Sequence, residues 1–288
     1  MQSPDFESPE FSNFCHACFA VRRFKPTLTI AQLRTALTVS ASTRPMGFRE
    51  VANSAEIKYG QATHQIAQLA DGKGSDLGLK LLVRQKAEGR RSSFVKPSRT
   101  GKAIACCYAL PEERDPALTL DGVKRSEMLA KHLKQSILPA FNEVTSRTQG
   151  LSLGSFCVLL HVTLKQFEIA FEGRPLHEVS SSIGISNVPR HISFLSEGTP
   201  KRKGLGLIEL TRNPEDRRLT LPKPSEAGIE LMTAICSRLL QRPAAQLRRP
   251  KPTSIEALDA PVDAATLKKD DFDYIDPRTL MRPEDKKS

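Results

Sequence analysis

Long apolar runs are what this sequence most lacks. The longest, Phe156 to Leu160, is far too short to cross a bilayer, so no membrane span is expected. The opening residues, MQSPDFESPEF, carry no basic-then-apolar pattern, so no secretory leader is expected either. Six cysteines in 288 residues (Cys15, Cys18, Cys106, Cys107, Cys157 and Cys236) are too few for a disulfide scaffold. Together these absences point to a reducing, cytoplasmic setting. A catalytic constellation is missing as well. There is no Gly-rich phosphate loop, no paired His ligands and no Ser–His–Asp order, so an enzyme is not expected. Cys15-His-Ala-Cys18 resembles one half of a zinc site, but a structural site needs four ligands and no second Cys-x-x-Cys follows. Buried or free thiols are the expectation there, with no cofactor.

Positive charge is what the chain does have. Lys and Arg total 43 against 32 acidic residues, a formal charge of +11, which favours a polyanionic partner. Residues 1–27 show no periodicity and read as a poorly ordered arm. From 242 to 288 prolines recur and charges nearly cancel, which reads as a disordered tail. The basic excess therefore belongs to the middle, and the middle repeats itself. FREVANSAEI at Phe48–Ile57 matches LHEVSSSIGI at Leu176–Ile185, LGLKLL at Leu77–Leu82 matches LGLIEL at Leu205–Leu210, and Lys96-Pro-Ser matches Lys223-Pro-Ser. The order is kept at an offset of about 127, so the chain is expected to hold two copies of one unit, over 28–110 and 151–241. The intervening 111–150 contains Val123, Leu129, Leu133 and Ile137 near helical spacing and reads as a long helix packing the copies together.

Within the second copy, a short helix meets the turn Ile183-Gly-Ile-Ser186 and a new helix begins, with Ser186 as its expected N-cap. Val188, Ile192 and Leu195 recur at four and three, which turns one face inward and leaves Asn187, Arg190 and His191 outward. In the first copy Ala62, Ile66 and Leu69 are inward, and Tyr59, Gln61, Thr63, His64 and Gln65 are the outward candidates. A helix, a tight turn and a second helix with such a face fit the DNA major groove. Two extended runs then flank Asn213-Pro214, with Arg212, Arg217 and Arg218 about the tip; arginines on such a hairpin suit a narrow minor groove. The first copy offers Arg84, Lys86, Arg90 and Arg91 at the matching place. The expected fold is thus mainly α with small β-hairpin wings, an α+β chain. Its tandem winged helix-turn-helix units, joined by a long helix, would form a pseudo-dimer.

The run from Thr163 to Gly228 resembles the MarR family of bacterial regulators, with Asn213-Pro-Glu-Asp-Arg-Arg218 and then Ser225-Glu-Ala-Gly228 at the family's interval. The resemblance implies a dimeric winged-helix repressor, often relieved by a small-molecule effector. It also implies that Arg218 enters the minor groove while Asp216 braces it. The sequence departs from the family at two points. Between Ile185 and Val188 the second copy is about two residues shorter than the pattern, and Glu56 stands where a turn glycine is usual.

The leading expectation is a sequence-specific regulator of transcription that binds double-stranded DNA in the cytoplasm, on the nucleoid. Two rivals remain open: a plasmid or phage replication initiator or partition protein, and a winged-helix scaffold in a larger assembly. Whether the chain acts alone as a pseudo-dimer or as a homodimer also stays open.

Overall fold

The computed structural model describes residues 6, 8–73, 76–86, 93–110, 122–148, 150–166, 184–199, 202–212 and 220–240. These residues form a mainly helical chain with small antiparallel sheets. The expected 242–288 tail lies outside them.

The first finding corrects the sequence-based expectation of an N-terminal arm. Pro9–Phe24 is a helix, α1, opened by Ser8, whose hydroxyl accepts from the Phe11 N–H, and by Pro9 in the first turn, where a missing N–H costs nothing. Phe11, Phe14, Cys15, Cys18 and Val21 lie on one side and are buried. Spacings of three and four were present in the sequence but were masked by the polar and acidic residues around them.

After α1 comes α2 (Ile30–Ser40), then β1 (Met46–Gly47), α3 (Phe48–Ser54), α4 (Tyr59–Leu69) and a minute hairpin, β2 (Gly72–Lys73) with β3 (Asp76–Leu77). A longer hairpin follows, β4 (Leu82–Lys86) with β5 (Ser93–Pro97), and β1 pairs with β5 on its other edge. The half closes with α5 (Arg99–Cys106). A second long helix runs from α6 (Gly122–His132) through a widened turn, Leu133–Ile137, into α7 (Leu138–Arg147). Pro139 sits just past that widening and has no N–H to donate to the preceding turn. Then come α8 (Leu153–Gln166), α9 (Val188–Leu195), β6 (Gly198–Thr199) with β7 (Arg202–Lys203), β8 (Ile208–Arg212) with β9 (Thr220–Pro224), and α10 (Glu226–Leu240).

Individual hydrogen bonds recur between the two halves. Leu81 N–H donates to Leu69 carbonyl at 2.7 Å, and Leu207 N–H to Leu195 carbonyl at 2.7 Å. Ser98 caps α5 by accepting from Gly101 N–H at 3.0 Å while its hydroxyl donates to Lys80 carbonyl at 2.7 Å. Ser225 does the same for α10, with Gly228 N–H at 3.1 Å and Gly206 carbonyl at 2.6 Å. Gly101 and Gly228 are required in the same way, since a Cβ on either would collide with the carbonyl of Leu81 or Leu207. These bonds also revise the sequence alignment. Lys80 and Gly206 share the left-handed backbone, and Gly78 corresponds to Gly204, so the two Leu-Gly pairs sit two residues out of step.

The halves meet through an antiparallel bridge between Thr29 and Ser152, the residues that cap α2 and α8. Ile30 N–H donates to Leu151 carbonyl at 3.0 Å, and Leu153 N–H to Leu28 carbonyl at 2.9 Å. Because equivalent residues face each other antiparallel, a local two-fold axis passes between them. The interval from Thr29 to Ser152 also separates Phe24 from Arg147, the last residues of α1 and α7, so α1 and the α6–α7 helix are themselves equivalents. Each reaches the opposite half: α1 packs on α8 and α10, and α7 packs on α2 as well as on α10. At the crossing, Phe14 of α1 meets Phe141 of α7 with ring centroids 5.2 Å apart, and Tyr108 and Phe156 complete the cluster.

Phe14→Ala is expected to lower the unfolding free energy by about 3–5 kcal/mol, because a filled position at the crossing becomes a void. Chemical denaturation would also show both halves unfolding in one transition; two separated transitions would argue against a shared core.

Candidate functional site

The residues singled out in the sequence lie on α4, on α9 and on the two long hairpins. On α4 the inner stripe is as expected, with Ala62, Ile66 and Leu69 fully buried. The opposite side exposes Lys58, Tyr59, Gly60, Gln61 and His64, and Tyr59 is 57 % exposed despite its size. Thr63 is half-buried and spends its hydroxyl on the Tyr59 carbonyl at 3.0 Å. Gln65 does not face out. It is 6 % exposed and accepts from the Thr35 hydroxyl, because its position on the helix turns it toward α2. The turn before α4 holds Glu56 in the left-handed region, φ +50°, the conformation that Gly184 adopts at φ +59° before α9.

Helix α9 departs further from expectation. Val188, Ile192 and Leu195 are buried as the spacing required. The cap position, however, is Asn187 rather than Ser186. Asn187 is left-handed (φ +60°, ψ +33°) and its side chain makes no capping bond, while Ser186 is exposed in the turn. From Glu56 to the first inward residue of α4, Ala62, the chain takes six steps; from Gly184 to Val188 it takes four. That deletion removes the first turn of the helix, which is 8 residues long against 11 for α4. Arg190 is exposed. His191 is not an outward side chain: its Nδ1 lies 2.9 Å from the Ser155 hydroxyl and its ring lies against Gly154. Burial, reinforced by Arg22 and Arg190, holds its pKa below the ordinary 6.5.

Two arginines not picked out in the sequence brace the turns. Arg34 of α2 is 6 % exposed; its Nη1 donates to Asn142 Oδ1 at 2.9 Å and Thr145 Oγ1 at 2.6 Å on α7, and its Nη2 donates to the Ala55 carbonyl in the first turn. Arg22 of α1 donates from Nη1 to the Gly184 carbonyl at 2.7 Å in the second turn. Each turn is therefore tied to the helix that crosses over from the other half. A cavity of about 560 Å³ adjoins the first tie, with Arg34, Glu56, Gln61, Asn142 and Thr145 among its walls. Its place as the single charge in α2, beside Leu33, was the one available sequence signal for Arg34.

On the long hairpins, Arg84 and Lys86 of β4 and Arg212 of β8 are exposed. Strand register runs from Leu82↔Pro97 to Lys86↔Ser93 in one and from Ile208↔Pro224 to Arg212↔Thr220 in the other. Arg90, Arg91, Asp216, Arg217 and Arg218 lie outside the described residues. Among the described residues no group of His, Cys, Asp and Glu could hold a metal, and no helix is long and apolar enough to cross a membrane. Cys15 and Cys18 face the core, where burial pushes Cys18 up to about 12 and Cys15 well above its ordinary value. Compared with family models and with curated proteins, the chain matches none of them.

His191 gives this site a pH dependence. The unfolded chain takes up a proton as the pH falls below 6.5 while the folded His191 resists it, so stability present above that pH is lost on acidification. Thermal unfolding followed from neutral pH downward should show a smaller loss for His191→Gln than for the parent chain. An identical acid loss in both would remove His191 as the cause.

Proposed function

We propose that the protein is a sequence-specific double-stranded DNA-binding regulator of transcription, with two MarR-like winged helix-turn-helix units in one chain. The observation that carries this reading is the pairing, in each half, of a short helix with one buried stripe and one exposed polar side with a basic hairpin two elements later. Helix α4 offers Tyr59, Gln61 and His64, and α9 offers Arg190; a protruding helix of this kind matches the width of the major groove. Arg84, Lys86 and Arg212 put charge on the hairpins, and the sequence adds Arg90, Arg91, Arg217 and Arg218 between the strands. On this reading the hairpins supply salt-dependent affinity through phosphates and the minor groove, and the helices supply selectivity. A two-fold relation between halves suits a duplex, whose strands are themselves two-fold related.

Two substitutions separate these contributions in a gel-shift titration against a selected duplex. Arg190→Ala should weaken binding to that duplex by about 1–3 kcal/mol and relax preference at one position. Arg218→Ala should weaken binding to all duplexes alike and reduce the salt slope by about one. Unchanged affinity in both variants would remove the helices and hairpins from the interface.

A further inference from the structure

We infer that the two halves are unequal readers of one imperfect inverted repeat: α4 carries most of the base discrimination, and α9 contributes one arginine-dependent position. This rests on the DNA-binding reading above and adds to it which arm of the target holds the sequence information.

Orientation comes from the bridge. Thr29 and Ser152 pair antiparallel at equivalent places, and the equivalent helices α1 and α7 cross reciprocally, so the halves are related by a rotation rather than by a translation. Their helices then address opposite strands, and the arms of the target run in inverted rather than direct order.

Inequality comes from the chemistry of the two helices. The first two turns of α4 project Tyr59, Gln61 and His64 from an 11-residue helix, three side chains that differ in shape and in donor and acceptor pattern. Gln can bond both edges of an adenine, and an exposed aromatic ring can rest on a thymine methyl. Helix α9 begins at Val188, the counterpart of Ala62, so it has no helical residues in the places of Tyr59 and Gln61. Pro189 has neither an N–H nor a polar side chain, His191 is committed to Ser155, and Ser193 donates to the Gly198 carbonyl at 3.2 Å. Asn187, the counterpart of Gln61, is exposed but sits at the left-handed cap ahead of the helix, so within α9 Arg190 is the exposed side chain with several donors, and its forked donors suit guanine.

The test uses the full chain and a pool of random duplexes, followed by competition with single-base variants of the enriched sequence. Two inverted arms are expected, one with strong preference at several neighbouring positions, where each change weakens binding roughly five- to hundredfold, and one dominated by a single guanine. Gln61→Ala and His64→Ala should flatten the first arm alone, and Arg190→Ala the second alone. All three side chains are exposed, so circular dichroism should be unchanged. Arms in direct order, or arms of equal information, would overturn the inference while leaving DNA binding standing. If no duplex were enriched above the starting pool, the DNA-binding reading itself would fall, and the inference with it.

Discussion

The structure depends on the reciprocal crossing of α1 and the α6–α7 helix, and on the packing of Phe14 against Phe141 where they meet. The two halves share one core. The apolar side of α1 is covered by α8 and α10 of the other half, and α7 lies on α2 in return. Tyr108 from the end of the first half and Phe156 from the start of the second join the same aromatic cluster, so four segments distant in sequence share one set of tilted and edge-on ring contacts. The two-strand bridge at Thr29 and Ser152 fixes the rotation between halves, and the rings fix their distance.

That arrangement gives the turns their rigidity. The turn that leads into each outer helix has a carbonyl satisfied by an arginine side chain. In the first half the arginine is Arg34, held by Asn142 and Thr145 of the crossing helix. In the second half it is Arg22, borne by the crossing helix itself. The two solutions differ because Arg34 has Cys157 as its counterpart in α8, which cannot reach the turn. The same need is met from another element, and the outer helices are positioned from the core of the opposite half.

Much of this could be anticipated from the residues. The inner stripes of α4 and α9 follow from spacings of three and four, the hairpins from extended runs about Asn213-Pro214, and the duplication from Lys-Pro-Ser and the glycine three residues beyond it. What could not be anticipated depended on long-range packing. The polar residues of α1 concealed a helix whose inner side is filled by a half made more than a hundred residues later. Gln65 and His191 each stand three residues after one inward residue and four before another, so the spacing places them beside the buried stripe, but only the fold shows that Thr35 and Ser155 meet them there. The left-handed Asn187 follows from a deletion whose local effect on the backbone depends on how the helix end is held.

The crossing has a consequence for how the chain is made. Synthesis proceeds from the amino terminus at roughly 5–20 residues per second, and domains ordinarily fold as they emerge. Here α1 leaves the ribosome first, while the surface that covers Phe11, Phe14, Cys18 and Val21 is completed by α10, at the far end of the described chain. The nascent amino-terminal half therefore emerges with the apolar side of α1 unfinished until α8 and α10 have been made.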